Sequence, residues 1–178
     1  KGFYLRSLSL HAITAIDLKK YGAACKDFEK LLMMRDVFGV EIKTSPEYRM
    51  YYFNFGEALR GLGNGAQAEK AYRSTIDLFE ESGDKLDVYT HHAFRAAIIL
   101  ALKRGDGPLT ESLWKRMMEA MENPLREDHS LNVMLVLLTR LVEAGENKWA
   151  DRVQKRLAPY MQKARSDAKL RNIIISRL

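Results

Sequence analysis

Residues 48–79, YRMYYFNFGEALRGLGNGAQAEKAYRSTIDLF, restrict the possible folds more tightly than any other stretch of the chain. Tyr52, Phe55, Leu59 and Leu62 recur at steps of three and four, the spacing of one face of an α-helix. Gly61, Gly63 and Gly65 then interrupt the pattern, and glycine both weakens a helix and readily takes positive φ, so a helix stop and a turn are expected there. The helical spacing resumes with Ala68, Ala71, Tyr72, Thr75, Ile76 and Phe79. Two amphipathic helices joined by so short a loop must lie antiparallel. Gly56 and Ala68 fall on the inward faces, where small residues allow the axes a close approach, with Tyr52 and Tyr72 filling the space beside them.

The same plan recurs along the chain. An opening helix carries Leu8, Ala12 and Ala15, turns at Lys19-Lys20-Tyr21-Gly22, and continues with Ala24, Phe28, Leu31 and Leu32. This first turn lacks the glycine that Gly63 supplies to the second. Residues 36–45, DVFGVEIKTS, read as a helix extension and a packed connector, with Ser45 capping a helix that begins at Pro46. Asp84 or Asp87 can cap the helix that carries Phe94, Ala97, Ile98 and Ala101. Gly105-Asp106-Gly107-Pro108 is its turn, and Leu113, Trp114, Met117, Met118 and Met121 lie beyond, up to a stop at Asn123-Pro124. Met134, Leu137, Leu138 and Leu141 lead to Gly145, with Trp149, Ala150, Val153 and Leu157 after it. Pro159 is expected to start or kink a final helix that turns Tyr160, Ala164, Ala168 and Leu170 to the core.

The order Tyr52, Phe55-Gly56, Leu59, Gly63, Ala68, Tyr72, Thr75 resembles the tetratricopeptide (TPR) signature, although Leu59 stands where an aromatic is usual and no closing proline follows. Turn positions are separated by 44, 42 and 40 residues, from Lys19 through Gly63 and Gly105 to Gly145. The ordinary TPR period is about 34 residues. The longer period and the phrase Glu81-Ser82-Gly83-Asp84 between repeats resemble the extended class of kinesin light chains, polarity adaptors and bacterial peptide-sensing regulators. The resemblance implies an all-α fold, a right-handed α-α superhelix of four helix pairs and a C-terminal capping helix. The repeats would occupy about 4–35, 46–82, 85–122 and 129–158, with the cap at 159–176. The chain begins at Lys1 without Met, and a single TPR-like domain belonging to a larger protein is expected.

Composition sets the remaining bounds. The apolar fraction of 47% and charged fraction of 29% are those of an ordinary soluble protein, and no apolar run reaches the roughly 18 residues of a membrane span. Cys25 is the single cysteine, so an internal disulfide is impossible and a reducing, cytoplasmic setting is the natural reading. The net charge of +6 is carried by residues after Gly145, where nine Lys and Arg face three acids. Read as one continuous helix, the basic residues of 148–171 fall all around it.

Candidate chemistry is sparse. The glycines at 61, 63 and 65 follow a helix and lack the Gly-Lys-Ser/Thr of a phosphate loop. His91 and His92 point about 100° apart on a helix, too divergent to share a metal, and His11 and His129 are remote in sequence. Cys25, beside Ala24 and Phe28, reads as a buried thiol rather than a nucleophile, and Met33-Met34 and Met117-Met118-Met121 read as core. The expectation is a protein without catalytic residues, metal or cofactor.

Two functions remain open. One is a scaffold for protein–protein interaction. In TPR relatives the first helix of each pair lines a concave groove, which implies that Met50, Phe53, Glu57 and Arg60 of the second repeat and His92, Arg95, Ile99 and Leu102 of the third bind a partner peptide or helix. Two arginines against one glutamate favour an acidic ligand. The familiar carboxylate clamp has no counterpart in the first repeat, where Ser9 and Ile13 stand at its Lys and Asn positions, although Asn54 matches it in the second. The alternative is nucleic-acid binding by the basic C-terminal end. A membrane partner is not expected.

Overall fold

The computed structural model describes residues 2–38, 46–122, 127–164 and 166–175. These form α1 (Gly2–Asp17), α2 (Tyr21–Phe38), α3 (Pro46–Gly61), α4 (Gly65–Ser82), α5 (Val88–Lys103), α6 (Gly107–Ala120), α7 (Glu127–Glu143), α8 (Asn147–Lys163) and α9 (Ala168–Ile175). Among the described residues no extended segment exceeds a single bridge residue, Leu86. Each odd helix packs on the even helix that follows it, and α2 on α3 and α4 on α5 join one pair to the next. The protein is an all-α helical-repeat superhelix of four pairs and a terminal helix. Ser45, the rest of the 39–45 connector, Asn123-Pro124 and the side chains of His129 and Leu170 lie outside the described residues.

One turn geometry is used four times. Lys19, Gly63, Gly105 and Gly145 have positive φ, between 56° and 80°. In each turn the next residue's N–H reaches back five positions: Lys20 to Ala15 at 2.7 Å, Asn64 to Leu59 at 2.9 Å, Asp106 to Ala101 at 3.0 Å and Glu146 to Leu141 at 2.9 Å. This is the 6→1 bond of a Schellman motif. The first turn does without glycine because Lys19 itself takes the left-handed conformation.

The core follows the apolar stripes. Ala12, Ala24, Phe28, Leu31, Ala68, Tyr72, Ile76, Phe94, Ala97, Ile98, Ala101, Leu113, Met117, Leu137 and Val153 are wholly buried. Three details depart from the sequence reading. In α3 the buried arc is Tyr48, Arg49, Tyr51, Gly56, Ala58 and Leu59, while Leu62 is exposed and Tyr52 and Phe55 are half-buried. The helix packs on α2, α4 and α5 at once, which widens and rotates its buried face. Met33 also lies exposed. Gly56 accommodates Tyr72, since a Cβ there would lie 2.6 Å from the Tyr72 ring, and Gly61 accommodates Tyr21 in the same way at 2.5 Å.

The C-terminal boundary is also different. α8 runs through Pro159 to Lys163, and the final helix starts at Ala168 instead of 159. Pro159 removes one helical N–H, opposite the carbonyl of Lys155. Both residues are exposed, so water can serve that carbonyl and the helix continues. Ala164 and Ile174 are buried and Tyr160 is half-buried against the core, whereas Ala168 is exposed. α9 packs on α7 and α8.

Adjacent repeats are locked by a buried cation. Arg49, in the first turn of α3, is 2% exposed. Its Nε donates to Asp87 at 2.7 Å, and its Nη1 to Asp84 at 2.9 Å and Ser82 at 3.0 Å. Asp87 also caps α5 by accepting from Thr90 N–H at 2.9 Å. The Glu81-Ser82-Gly83-Asp84 phrase therefore supplies the ligands of a buried guanidinium.

Two stability measurements check these contacts. Lys19→Gly should raise stability by about 1 kcal/mol, because a side chain at positive φ costs roughly 1–2 kcal/mol. Arg49→Met should lower it by about 3–5 kcal/mol by leaving Asp87 without its partner. Urea midpoints unmoved by either change would contradict the turn and the lock respectively.

Candidate functional site

The odd helices form the inner layer. α1 touches α3, α3 touches α5, α5 touches α7 and α7 touches α9. The even helices are instead bridged by long side chains: Arg116 of α6 reaches Asp77 and Glu80 of α4 at 2.6 and 2.7 Å, and Arg152 of α8 reaches Glu111 of α6 at 2.6 Å. A layer packed backbone to backbone traces a shorter arc than one spanned by arginines, so the odd helices line the concave side.

A cleft of about 800 Å³ opens between the C-terminal halves of α3, α5 and α7. Five of the eight expected groove residues line it: Glu57, Arg60, Arg95, Ile99 and Leu102. Met50, Phe53 and His92 lie outside its lining. Phe53 is half-buried in an aromatic cluster, with its ring centroid 5.9 Å from Tyr72 and 6.0 Å from both Tyr89 and His92. The third wall is Val136, Arg140, Leu141 and Glu143 of α7 with Ala144 just after it, which the sequence reading did not include. The groove register of α3 and α5, at 13, 10, 6 and 3 residues before the turn glycine, would have pointed to Asn132, Leu135, Thr139 and Val142 instead, because α7 presents a different flank of its surface to the cleft.

The charges in this cleft are unequally satisfied. Glu57 accepts from Arg60 Nη2 at 2.6 Å and from the Tyr72 hydroxyl at 2.5 Å. Arg140 donates to Glu143 at 2.9 Å. Burial opposes ionisation of Glu57, but the hydrogen bonds from Arg60 and Tyr72 and the charges of Arg60 and Arg95 outweigh it and hold its carboxyl below the ordinary 4.5. Burial, then the Glu57 charge and hydrogen bond, push the Tyr72 phenol well up. Arg95 differs from its neighbours. Among the described residues it makes no hydrogen bond or ion pair; burial depresses its pKa, and the charges of Arg60 and Arg140 add to that against the pull of Glu57.

The two adjacent histidines have separate surroundings. His91 is 1% exposed, with Nδ1 3.1 Å from the Asp87 carbonyl and Nε2 2.8 Å from Ser130 Oγ on α7. The carbonyl can only accept, so Nδ1 carries a proton; in the neutral ring Nε2 then accepts from the Ser130 hydroxyl. His92 faces the other way, beside Phe53. Asn54 donates to the Met50 carbonyl at 2.9 Å, within its own helix. Cys25 is buried, and desolvation, aided by Glu29, raises its thiol pKa. No helix among the described residues is long and apolar enough to cross a membrane.

No family model matches this sequence, and no curated protein matches it significantly. The fold does have a counterpart among solved structures. The crystal structure of BtubC (BKLC) from P. vanneervenii superposes with a TM-score of 0.67 over 92% of this chain, at 15% sequence identity. This chain spans 65% of that one. The similarity extends to the helical-repeat fold.

The lowered pKa of Glu57 has a signed consequence. A carboxyl whose folded pKa lies below its unfolded value stabilises the fold above that unfolded value, and the contribution is lost as pH falls through the folded pKa. Glu57→Gln should therefore cost stability at about pH 6, and the gap from the parent should close towards about pH 3. Melting curves that stay parallel over this range would show that the Glu57–Tyr72–Arg60 network contributes nothing through ionisation.

Proposed function

We propose that this chain is a TPR-type protein-interaction module of the extended-repeat class, and that it binds an acidic peptide or helical segment of a partner in the cleft between α3, α5 and α7. The observation that carries this reading is Arg95. A half-buried guanidinium lining a cleft, depressed in pKa and, among the described residues, hydrogen-bonded to no carboxylate although Glu57 is close enough to act on it, is a site prepared for an anionic group from outside. Arg60 and Arg140 flank it, and their own carboxylates already neutralise them. Ile99 and Leu102 supply apolar area beside the charge, the part of such an interface that usually dominates affinity. None of the cleft residues forms a nucleophile–base pair, and the reading is of a scaffold rather than an enzyme. A reducing intracellular compartment fits the buried thiol of Cys25.

A fluorescence-polarisation screen of acidic peptides of about 15 residues against the chain tests this. For a peptide that binds, Arg95→Glu should slow association and reduce its salt dependence, because charges at an interface act first on encounter. Ile99→Ala should instead raise the dissociation rate, at a cost of at least about 1 kcal/mol if it is an anchor. A bound peptide indifferent to both changes would place the interaction on another surface.

A further inference from the structure

The basic residues of α8 are not scattered. At 3.6 residues per turn Lys148, Arg152, Lys155, Arg156 and Lys163 fall within a sector of about 100°. The expectation of scatter assumed one helix through Arg171. α8 ends at Lys163, and Lys169 and Arg171 belong to α9. All five stripe residues are exposed except Arg152, which is partly covered. Asp151, the acid within α8, lies outside the sector.

The stripe is also partly organised in advance. The Arg152 guanidinium lies 5.2 Å from the Trp114 ring centroid and 4.7 Å from that of Trp149, and Glu111 accepts from it at 2.6 and 2.9 Å. Lys155 and Arg156 line a shallow hollow with Trp114, Met118 and Glu122. Neither forms an ion pair among the described residues. Lys148, Arg152, Lys155 and Arg156 thus stand near two carboxylates, Glu111 and Glu122, on the outer layer of the superhelix, and Lys163, at the far end of the stripe, has a partner of its own.

We propose that this stripe of α8 binds duplex nucleic acid through its phosphate backbone. Lys148 to Lys163 extends about 22 Å at ~1.5 Å per residue, the axial length of about six phosphates on one strand. The outer layer is open to a rod-like ligand, unlike the enclosed cleft between the odd helices. The surface lacks what other polyanions require. Trp114 and Trp149 are buried beneath Arg152, and among the described residues of α8 the half-buried Tyr160, outside the sector, is the remaining aromatic side chain, so the stripe itself carries no ring on which single-stranded bases could stack. Met161, the exposed apolar residue of α8, lies on the opposite side of the helix, so no apolar edge accompanies the charges into a lipid interface. Contacts to phosphate alone carry no base readout, so binding is independent of sequence.

Anisotropy titration of a labelled 20-base-pair DNA duplex with the full chain, at about 50 and 200 mM salt, reads the proposal. Affinity should fall with salt at a log–log slope of about −3 to −4. Lys155→Glu with Arg156→Glu should weaken binding at least about tenfold and reduce the slope by about two, with helicity and melting temperature unchanged. Lys148→Gln with Lys163→Gln, a milder pair, should weaken it in the same direction. Arg95→Glu, which tests the peptide cleft, should leave duplex binding intact, so the two readings stand or fall separately. The proposal is overturned by absence of binding at the lower salt, by a charge-reversed variant that binds as the parent does, by preference for a single strand, or by polyglutamate engaging the stripe where the duplex does not.

Discussion

Arg49 is where the superhelix is made continuous. A guanidinium removed from water is costly, and it is tolerable only when every direction of its donor fork is answered. Here the answers come from the connector between repeats, through Asp87, Asp84 and Ser82. Asp87 then passes the constraint on. Its carboxylate fixes the start of α5 at Thr90, its carbonyl meets His91, and His91 meets Ser130 of α7. One polar chain therefore fixes α3, α5 and α7 relative to each other, and these are the helices whose far ends wall the cleft.

The inner and outer layers are held by different physics. Inside, odd helices pack directly on one another. Outside, arginines of one repeat reach carboxylates of the previous one: Arg104 to Glu69, Arg116 to Asp77 and Glu80, and Arg152 to Glu111. Mostly exposed pairs of this kind add little energy each. Their length sets the spacing of the outer helices more than it stabilises them.

The repeat plan was legible in the sequence because turn glycines and 3.6-residue periodicity are local signals. The turns at Lys19, Gly63, Gly105 and Gly145, Asp87 as a cap, and the buried faces of α4, α5 and α8 could all be read directly. What escaped depended on neighbours. Arg49 looks like any surface arginine until Asp84 and Asp87 are brought to it from 35 and 38 residues away. Pro159 looks like a helix start, yet solvent around Lys155 lets the helix pass through it. The α8 stripe was hidden because the basic residues of 148–171 were read on one helical wheel, which mixes the phases of α8 and α9. In the cleft, five lining residues were named from register, but Phe53 turned to its aromatic neighbours and the α7 wall was missed.

The polar links between repeats among the described residues join positions 35 to 41 apart, about one repeat. Such a molecule behaves like a zipper more than a globule. Cooperativity passes only from neighbour to neighbour. A repeat that loses its links on one side keeps those on the other, so the array can open one unit at a time. Arg49, which ties α3 to the connector before α5, sets what it costs to part the second repeat from the third.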